Sequence, residues 1–168
     1  MRFYIRPFEP GDADWVLAAE AALQAHEIAI FDKRLALTLL PPESSTAAYL
    51  DMLWPMLAEN HGAMLIGCDE GGRRLGLVAG HVVDEPFPTE TPDCTRYGYV
   101  SDIYIMPEAR GSGLAGQLLD AIAAHLHAAD PTLTRLRINV LAANAIARAA
   151  YEKAGFVPYE IMYERKLG

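Results

Sequence analysis

Apolar and polar positions along the chain follow two periods, and these periods predict the elements. Short stretches rich in β-branched and aromatic residues predict strands at residues 3–6, 63–68 and 75–83 in the first half. Apolar residues at three- and four-residue spacing predict helices around residues 16–23 and 50–57. The acidic and glycine residues 69–72 predict a hairpin turn, so residues 63–68 and 75–83 should pair antiparallel.

Polar residues and prolines predict where these elements begin and break. Asp12 is suited to capping the first helix, and the hydroxyl residues 44–46 to capping the second. Pro55 should kink or divide that second helix. Residues 26–42 have no clear period.

The second half predicts a strand, a glycine-rich turn and a helix in succession. Residues 84–93 contain three prolines and four acids, which is typical of a loop, and a strand is predicted at residues 97–106. A helix should begin near Ser112 and end before Pro131. A strand at 136–140, a helix at 144–154 closed by Gly155, and a terminal strand region at 156–166 complete the prediction.

The composition is that of one globular domain spanning residues 1–168. The hydrophobic fraction is 52% and the charged fraction 21%, which is ordinary for a folded protein. Because no apolar run approaches about 20 residues and the first residues lack the apolar core of a signal peptide, we expect a cytoplasmic protein without a membrane span. Cys68 and Cys94 have no metal-binding spacing, so we expect two reduced thiols and no metal site.

The net charge of -8 narrows the range of partners. This charge repels nucleic-acid backbones and anionic membrane surfaces, and no run of Lys or Arg offsets it locally. A cationic or amine partner suits the field better. The acids Asp84, Glu85, Glu90 and Asp93 would add to this potential, although a merely solvated loop explains them equally well.

The segment PEARGSGLAGQLL places three glycines where the strand passes into the helix. Glycine tolerates unusual dihedrals and keeps no side chain between a ligand and the backbone, and the N–H groups of a helix start bind phosphate oxygens. Arg110 can add further donors. A glycine-rich helix start without a ligand is the alternative.

A dinucleotide site is not supported, even though the glycines fit G-x-G-x-x-G. In such a site the glycines follow the strand directly, whereas residues 107–110 intervene here. The acid at a suitable distance, Asp130, precedes Pro131 in a loop instead of ending a strand. A Walker loop is excluded because no Gly-Lys-Ser/Thr is present.

Two ordered motifs make the chain resemble the GNAT superfamily of acyl-CoA-dependent N-acetyltransferases. In DIYIMPEARGSGLAGQLL, the positions of the family's acetyl-CoA motif are filled by Arg110, Gly113 and Ala115. NAIARAAYEKAGF is similar to the family's later segment, which ends in Gly-Phe and contains Tyr151. The start, FYIRPFEPGDADWV, is similar to the family's first strand and helix, and the resemblance is weakest over residues 26–60.

The resemblance implies an α/β fold and a set of cofactor-binding residues. The fold would have a mixed, twisted sheet of about six or seven strands with about four helices, splayed between the strand of Ile103 and the strand of Ile138. Acetyl-CoA would bind in that split. The residues implied to bind it are Ile103, Ile105, Arg110, Gly111, Ser112, Gly113, Leu114, Ala115, Gly116 and Asn144.

Some of these residues also have purely structural explanations. Asn144 suits a helix cap as well as it suits a cofactor contact. The side chains of Ile103 and Ile105 can pack in the core while their backbone groups bind pantetheine. His81 is more simply a core or surface histidine than a base.

The resemblance also implies catalytic residues. Tyr151 would lie beside the departing thiolate, although its position alone would suggest a buried aromatic residue. Asp102 is the best-placed carboxylate for a general base, with Glu85 and Glu90 behind it. Strand alternation places Asp102 on the opposite face from Ile103, so a structural role is equally open and a bulge would decide the face.

The function implied is transfer of an acetyl group from acetyl-CoA to a primary amine by direct attack, without a metal. The acceptor would be a small molecule or a protein amine, and the family's habit suggests a homodimer. A catalytically inactive acyl-CoA sensor or interaction module on the same fold is the alternative. The presence of Tyr151 argues against it.

Overall fold

A five-stranded sheet in the order β1-β2-β3-β4-β5 is the centre of the computed structural model, which describes residues 2–32, 39–165 and 167. Neighbouring strands are antiparallel from β1 to β4, and β5 joins β4 in parallel. The strands are β1 (Phe3–Pro7), β2 (Ala63–Asp69), β3 (Arg74–Asp84), β4 (Arg96–Ile105) and β5 (Leu136–Ile138).

Helices cover both faces of this sheet. The buried side chains of α1 and α2 pack with one face of β2, β3 and β4, and those of α4 pack on the other. No described helix is both long enough and apolar enough to cross a membrane. The helices are α1 (Ala13–Ile30), α2 (Pro42–Glu59), α3 (Pro92–Thr95), α4 (Leu114–Ala129) and α5 (Ala145–Lys153).

The predicted α/β fold with a mixed sheet is confirmed, and so is the hairpin between β2 and β3. The helix starts differ from the prediction. Asp12 directly precedes α1 and makes no cap bond to it; its carboxylate pairs with Arg6 and Arg74 and accepts from the Glu9 N–H at 2.9 Å, which caps the short 3-10 turn of residues 10–12. Helix α2 begins at Pro42, before the three hydroxyl residues 44–46, and continues unbroken through Pro55.

The sheet has five strands, so the expectation of six or seven was too high. Strand β5 covers only residues 136–138, and residues 156–165 form no strand. Alternating apolar residues give this segment a strand tendency, but a strand also needs a hydrogen-bonded neighbour. The segment instead turns Tyr159 against the Arg137 side chain and leaves Ile161 and Tyr163 exposed.

A β-bulge in β4 decides which side chains face which layer. Ala79 of β3 is opposite Asp102 while Gly80 is opposite Val100, so Ser101 is the extra residue. The bulge reverses the alternation along the strand. Val100 and Ile103 therefore pack on the α4 side, and Asp102 faces the layer of α1 and α2.

Candidate active site

The sheet is split where β5 ends. Strands β4 and β5 pair only from Gly98 to Val100 on β4, opposite Leu136 to Ile138 on β5. Strand β4 continues to Ile105, so its last five residues, 101–105, have no neighbouring strand on that side in the described part of the chain. The predicted splay between the strands of Ile103 and Ile138 therefore exists.

The open edge of β4 presents backbone groups of two predicted residues. The N–H of Met106 donates to the carbonyl of Leu75 at 2.8 Å, which identifies these two residues as a hydrogen-bonded pair of the antiparallel ladder. Because such pairs alternate along the ladder, the N–H and C=O groups of Ile103 and Ile105 point away from β3, towards the split. An amide-bearing ligand could pair there as another strand would.

The glycine turn lies at the end of this edge and has the backbone geometry of an anion site. Gly111 and Gly113 have φ angles of 73° and 91°, which favour glycine. A Cβ atom added at Gly111, Gly113 or Gly116 would meet nothing within 4 Å, so the backbone is open to a ligand. In the described part of the chain, nothing accepts from the N–H groups of Gly111, Gly113, Ala115 and Gly116.

The other predicted residues of the turn differ in what they can offer. Arg110 is exposed, and its Nε donates to the Ile105 carbonyl at 3.3 Å, so the guanidinium already lies between the turn and the β4 edge. The Ser112 hydroxyl donates to the Ala109 carbonyl at 2.5 Å. The Leu114 side chain is fully buried in the core, so only its backbone N–H faces the turn, at 3.4 Å from the Ser112 hydroxyl.

Helix α5 carries the residues of the second motif. The Asn144 side chain accepts from the Ala147 N–H at 3.1 Å, which shows the structural cap. Tyr151 is half-buried, with its ring 6.0 Å from that of Phe156. Burial raises the Tyr151 pKa to about 12, and the Glu27 carboxylate of α1 adds to this shift. Tyr151 therefore lies within electrostatic range of α1.

Asp102 is buried beneath α2. Only 7% of its surface is exposed, and the Tyr49 hydroxyl lies 2.8 Å from one carboxylate oxygen and 2.7 Å from the other. Burial raises the Asp102 pKa, and donation by Tyr49 opposes that shift. The same burial and the charge of Asp102 raise the Tyr49 pKa, so the hydroxyl stays a donor.

Two further carboxyl groups, Glu20 and Glu27, interact with Asp102 and were missed by the sequence reasoning. Glu20 is 1% exposed, and burial raises its pKa to about 9, with the charges of Asp102 and Glu27 contributing. Glu27 is half-buried, and burial and the charge of Asp102 raise its pKa. Glu20 follows Val16 by four residues and Glu27 follows Glu20 by seven, so both acids lie on the helix face of Val16. Acidic residues on this core-facing side were the signal that the sequence offered.

Some buried polar atoms have no hydrogen-bond partner. In the described residues there are three such side-chain atoms: Glu20 Oε1, His81 Nδ1 and Ser101 Oγ. His81 is opposite Tyr99 in the β3–β4 register, and their rings are 5.7 Å apart. Burial lowers the His81 pKa, so a neutral imidazole is favoured.

The acids of the 84–93 segment are not brought to Asp102. Asp84 is opposite Arg96, six residues along β4 from Asp102, a distance of roughly 20 Å. Asp84 forms an ion pair with Arg96, and Asp93 pairs with Arg135 at 3.0 Å. Glu85 and Glu90 are exposed.

Neither a metal site nor a disulfide is found in the described part of the chain. No group of three His, Cys, Asp or Glu side chains there could hold a metal ion. Cys68 and Cys94 are both free thiols, the first buried and the second half-buried.

Comparison with known proteins gives a family and several similar structures. The family described as "Acetyltransferase (GNAT) family" matches residues 26–156. No curated protein matches the chain.

Three solved structures illustrate the shared fold. A mutant of the BH1408 protein from Bacillus halodurans has a TM-score of 0.79 at 19% identity, covering 98% of this chain and 99% of that one. The aminoglycoside 6'-N-acetyltransferase AAC(6')-IG from Acinetobacter haemolyticus has a TM-score of 0.67 at 19% identity, covering 98% of this chain and 99% of that one. A predicted acetyltransferase with acetyl-CoA from Clostridium acetobutylicum has a TM-score of 0.67 at 19% identity, covering 98% of this chain and 96% of that one.

Proposed function

The chain belongs to the GNAT acetyltransferase family, and from this premise we propose that it transfers an acetyl group from acetyl-CoA to a primary amine. One observation carries the proposal. The open edge of β4 connects a glycine turn with free N–H groups to the buried carboxylate of Asp102. The Clostridium acetobutylicum structure, which contains acetyl-CoA, supports the choice of donor.

The donor would bind along β4 and on the start of α4. Its phosphates suit the N–H groups of residues 111–116, where the dipole of α4 also favours negative charge. Arg110 would exchange the Ile105 carbonyl for a phosphate oxygen, which frees that carbonyl for the pantetheine arm. Asn144 would contribute chiefly by holding α5 in place.

The acceptor would reach the thioester from the side of α1 and α2, where Asp102 lies. The amine nitrogen attacks the acetyl carbon, the carbon–sulfur bond breaks, and the nitrogen loses its proton. A lysine-like amine with a pKa near 10.4 needs about 4.6 kcal/mol to lose a proton at pH 7, and an α-amine near 8 needs about 1.4 kcal/mol. Asp102 would take this proton, because burial makes its carboxylate more basic than usual.

Tyr151 would stabilise the departing thiolate by a hydrogen bond. The pKa of Tyr151 is raised to about 12, whereas a cysteine-like thiol has a pKa of about 8.5. Complete proton transfer from Tyr151 to the thiolate is therefore uphill by roughly 5 kcal/mol. A donated hydrogen bond carries no such cost and still favours sulfur departure. The raised pKa of Tyr151 therefore supports a hydrogen bond to the sulfur over its full protonation.

Thiol release from acetyl-CoA across an amine panel tests the proposed function. The panel should contain small amines, a lysine peptide and an aminoglycoside, since AAC(6')-IG is an aminoglycoside acetyltransferase. We expect amine-dependent thiol release that depends on Asp102 and Tyr151. Tight acetyl-CoA binding without release for any amine would instead support the inactive sensor. The homodimer remains a proposal, which light scattering would test.

A further inference from the structure

The face around Asp102 is acidic, and no Lys or Arg of the described residues pairs with its carboxyl groups. Three carboxyl groups contribute, two from α1 (Glu20 and Glu27) and one from β4 (Asp102), and each interacts electrostatically with the others. Within the described ranges, no Lys or Arg forms an ion pair with any of the three, although arginines pair with acids elsewhere in the chain.

A group of acids is often only a solvated surface, but Glu20 is not solvated. Only 1% of its surface is exposed, and its Oε1 has no hydrogen-bond partner in the described residues. The Tyr49 hydroxyl is bonded to Asp102, so it is not the partner of Glu20. Buried polar atoms are almost always satisfied, so the unpartnered Glu20 Oε1 indicates a ligand that completes it.

The chemistry of that ligand follows from the charges. Resting on the proposed function, we propose that the acceptor carries at least two ammonium groups, with Asp102 serving the reacting amine and the pair Glu20 and Glu27 binding the second. The pair is seven residues apart on one helix face, about 10 Å along the axis. A diamine or larger polyamine carries the two ammonium groups that this arrangement requires. An acceptor that bears a carboxylate would meet like charges.

The protonation of Glu20 links binding to proton release. Burial and the charges of Asp102 and Glu27 raise the pKa of Glu20 to about 9, so Glu20 is protonated at neutral pH. Among the described residues, the other titratable groups that interact with these acids are Tyr49 and Tyr99, beside Asp102, and Tyr151, beside Glu27, and none of them supplies a positive charge. A bound ammonium favours ionised Glu20, so diamine binding should release a proton near neutral pH.

Three acceptors with the same four-carbon chain test the inference: 1,4-diaminobutane, butylamine and 4-aminobutanoate. We expect kcat/KM for the diamine to exceed that for butylamine by at least about tenfold, with 4-aminobutanoate lowest. Calorimetry of each amine with the protein–CoA complex, repeated in buffers of different ionisation enthalpy, measures binding and proton release without turnover.

Variants connect the preference to the carboxyl groups. Glu27→Gln should bring the diamine-to-butylamine ratio of kcat/KM towards one, as should Glu20→Gln if it remains folded by thermal melting. Glu43→Gln, on the exposed start of α2, is the matched control and should keep the ratio.

The outcomes separate this inference from the proposed function. Equal binding and turnover of diamine and butylamine would overturn the inference and leave amine acetylation intact. Preferential diamine binding without any acetylation would support the charge recognition and overturn the proposed transfer. Absence of amine binding to the CoA complex would overturn the inference.

Discussion

Replacing Glu20 with glutamine should stabilise the protein, and increasingly so as the pH rises. Glutamine has nearly the shape of the protonated glutamic acid that burial favours at this position. Folding must keep Glu20 protonated, since its pKa is raised from 4.5 to about 9 in the folded state. Glutamine has no proton to retain, so it removes this cost.

The size of the effect follows from the two pKa values. Below the unfolded value both states are protonated and Glu20 costs nothing. Above it the unfolded state ionises first, and stability falls by about 1.4 kcal/mol per pH unit until the folded value is reached. Between about pH 5 and pH 7.5 the advantage of Glu20→Gln should therefore grow by roughly 3 kcal/mol, on the values of 4.5 and about 9.

Urea unfolding of both proteins at several pH values measures this difference. Glu59→Gln is the control, because Glu59 is exposed at the end of α2 and should show no comparable growth. A Glu20→Gln stability difference that stays constant between pH 5 and pH 7.5 would refute the reasoning. It would mean that Glu20 is ionised in the folded protein, with a partner that compensates its burial.

Other predictions concern the cofactor and the chemistry. Gly113→Asp should weaken acetyl-CoA binding at least about tenfold in calorimetry, since a carboxylate would face the phosphates; unchanged affinity in a folded variant would contradict the anion site. Tyr151→Phe should lower kcat by about 10- to 1,000-fold with little change in acetyl-CoA affinity; wild-type turnover where chemistry is limiting would leave Tyr151 a packing residue. Asp102→Asn should remove the acid limb of the pH–rate profile, because activity is lost as pH falls through the raised Asp102 pKa; a retained limb would exclude this base. Neutralising the exposed Glu85 and Glu90 together should lower kcat/KM for cationic amines only at low salt, and no change there would exclude steering.

The sequence predicted the features that depend on local signals. Successive strand, turn and helix signals over residues 97–130 correspond to β4, the glycine turn and α4. The positive φ angles at Gly111 and Gly113 agree with the conformational role expected of these glycines. Such features follow from dihedral preferences and short-range periodicity, which a sequence displays directly.

The features that could not be predicted depend on long-range pairing. The face of Asp102 is set by the bulge at Ser101, which is defined only by the register with β3. Glu20 interacts with Asp102 because α1 packs against β4, although 82 residues separate them in the sequence. The prediction of a terminal strand after Phe156 was wrong for a related reason. Alternation of apolar and polar residues does not by itself provide the neighbouring strand with which such a segment must form hydrogen bonds.

Tracing the acetyl group itself tests the central claim most directly. Acetyl-CoA labelled in its acetyl group would be incubated with the protein and an active amine, and the products quantified by mass spectrometry alongside thiol release. The account predicts one labelled acetyl group on the amine nitrogen for each thiol released, with both reduced in the same proportion in Asp102→Asn. Thiol release that leaves the label as free acetate, or an amine that stays unlabelled while acetyl-CoA is bound, would contradict it.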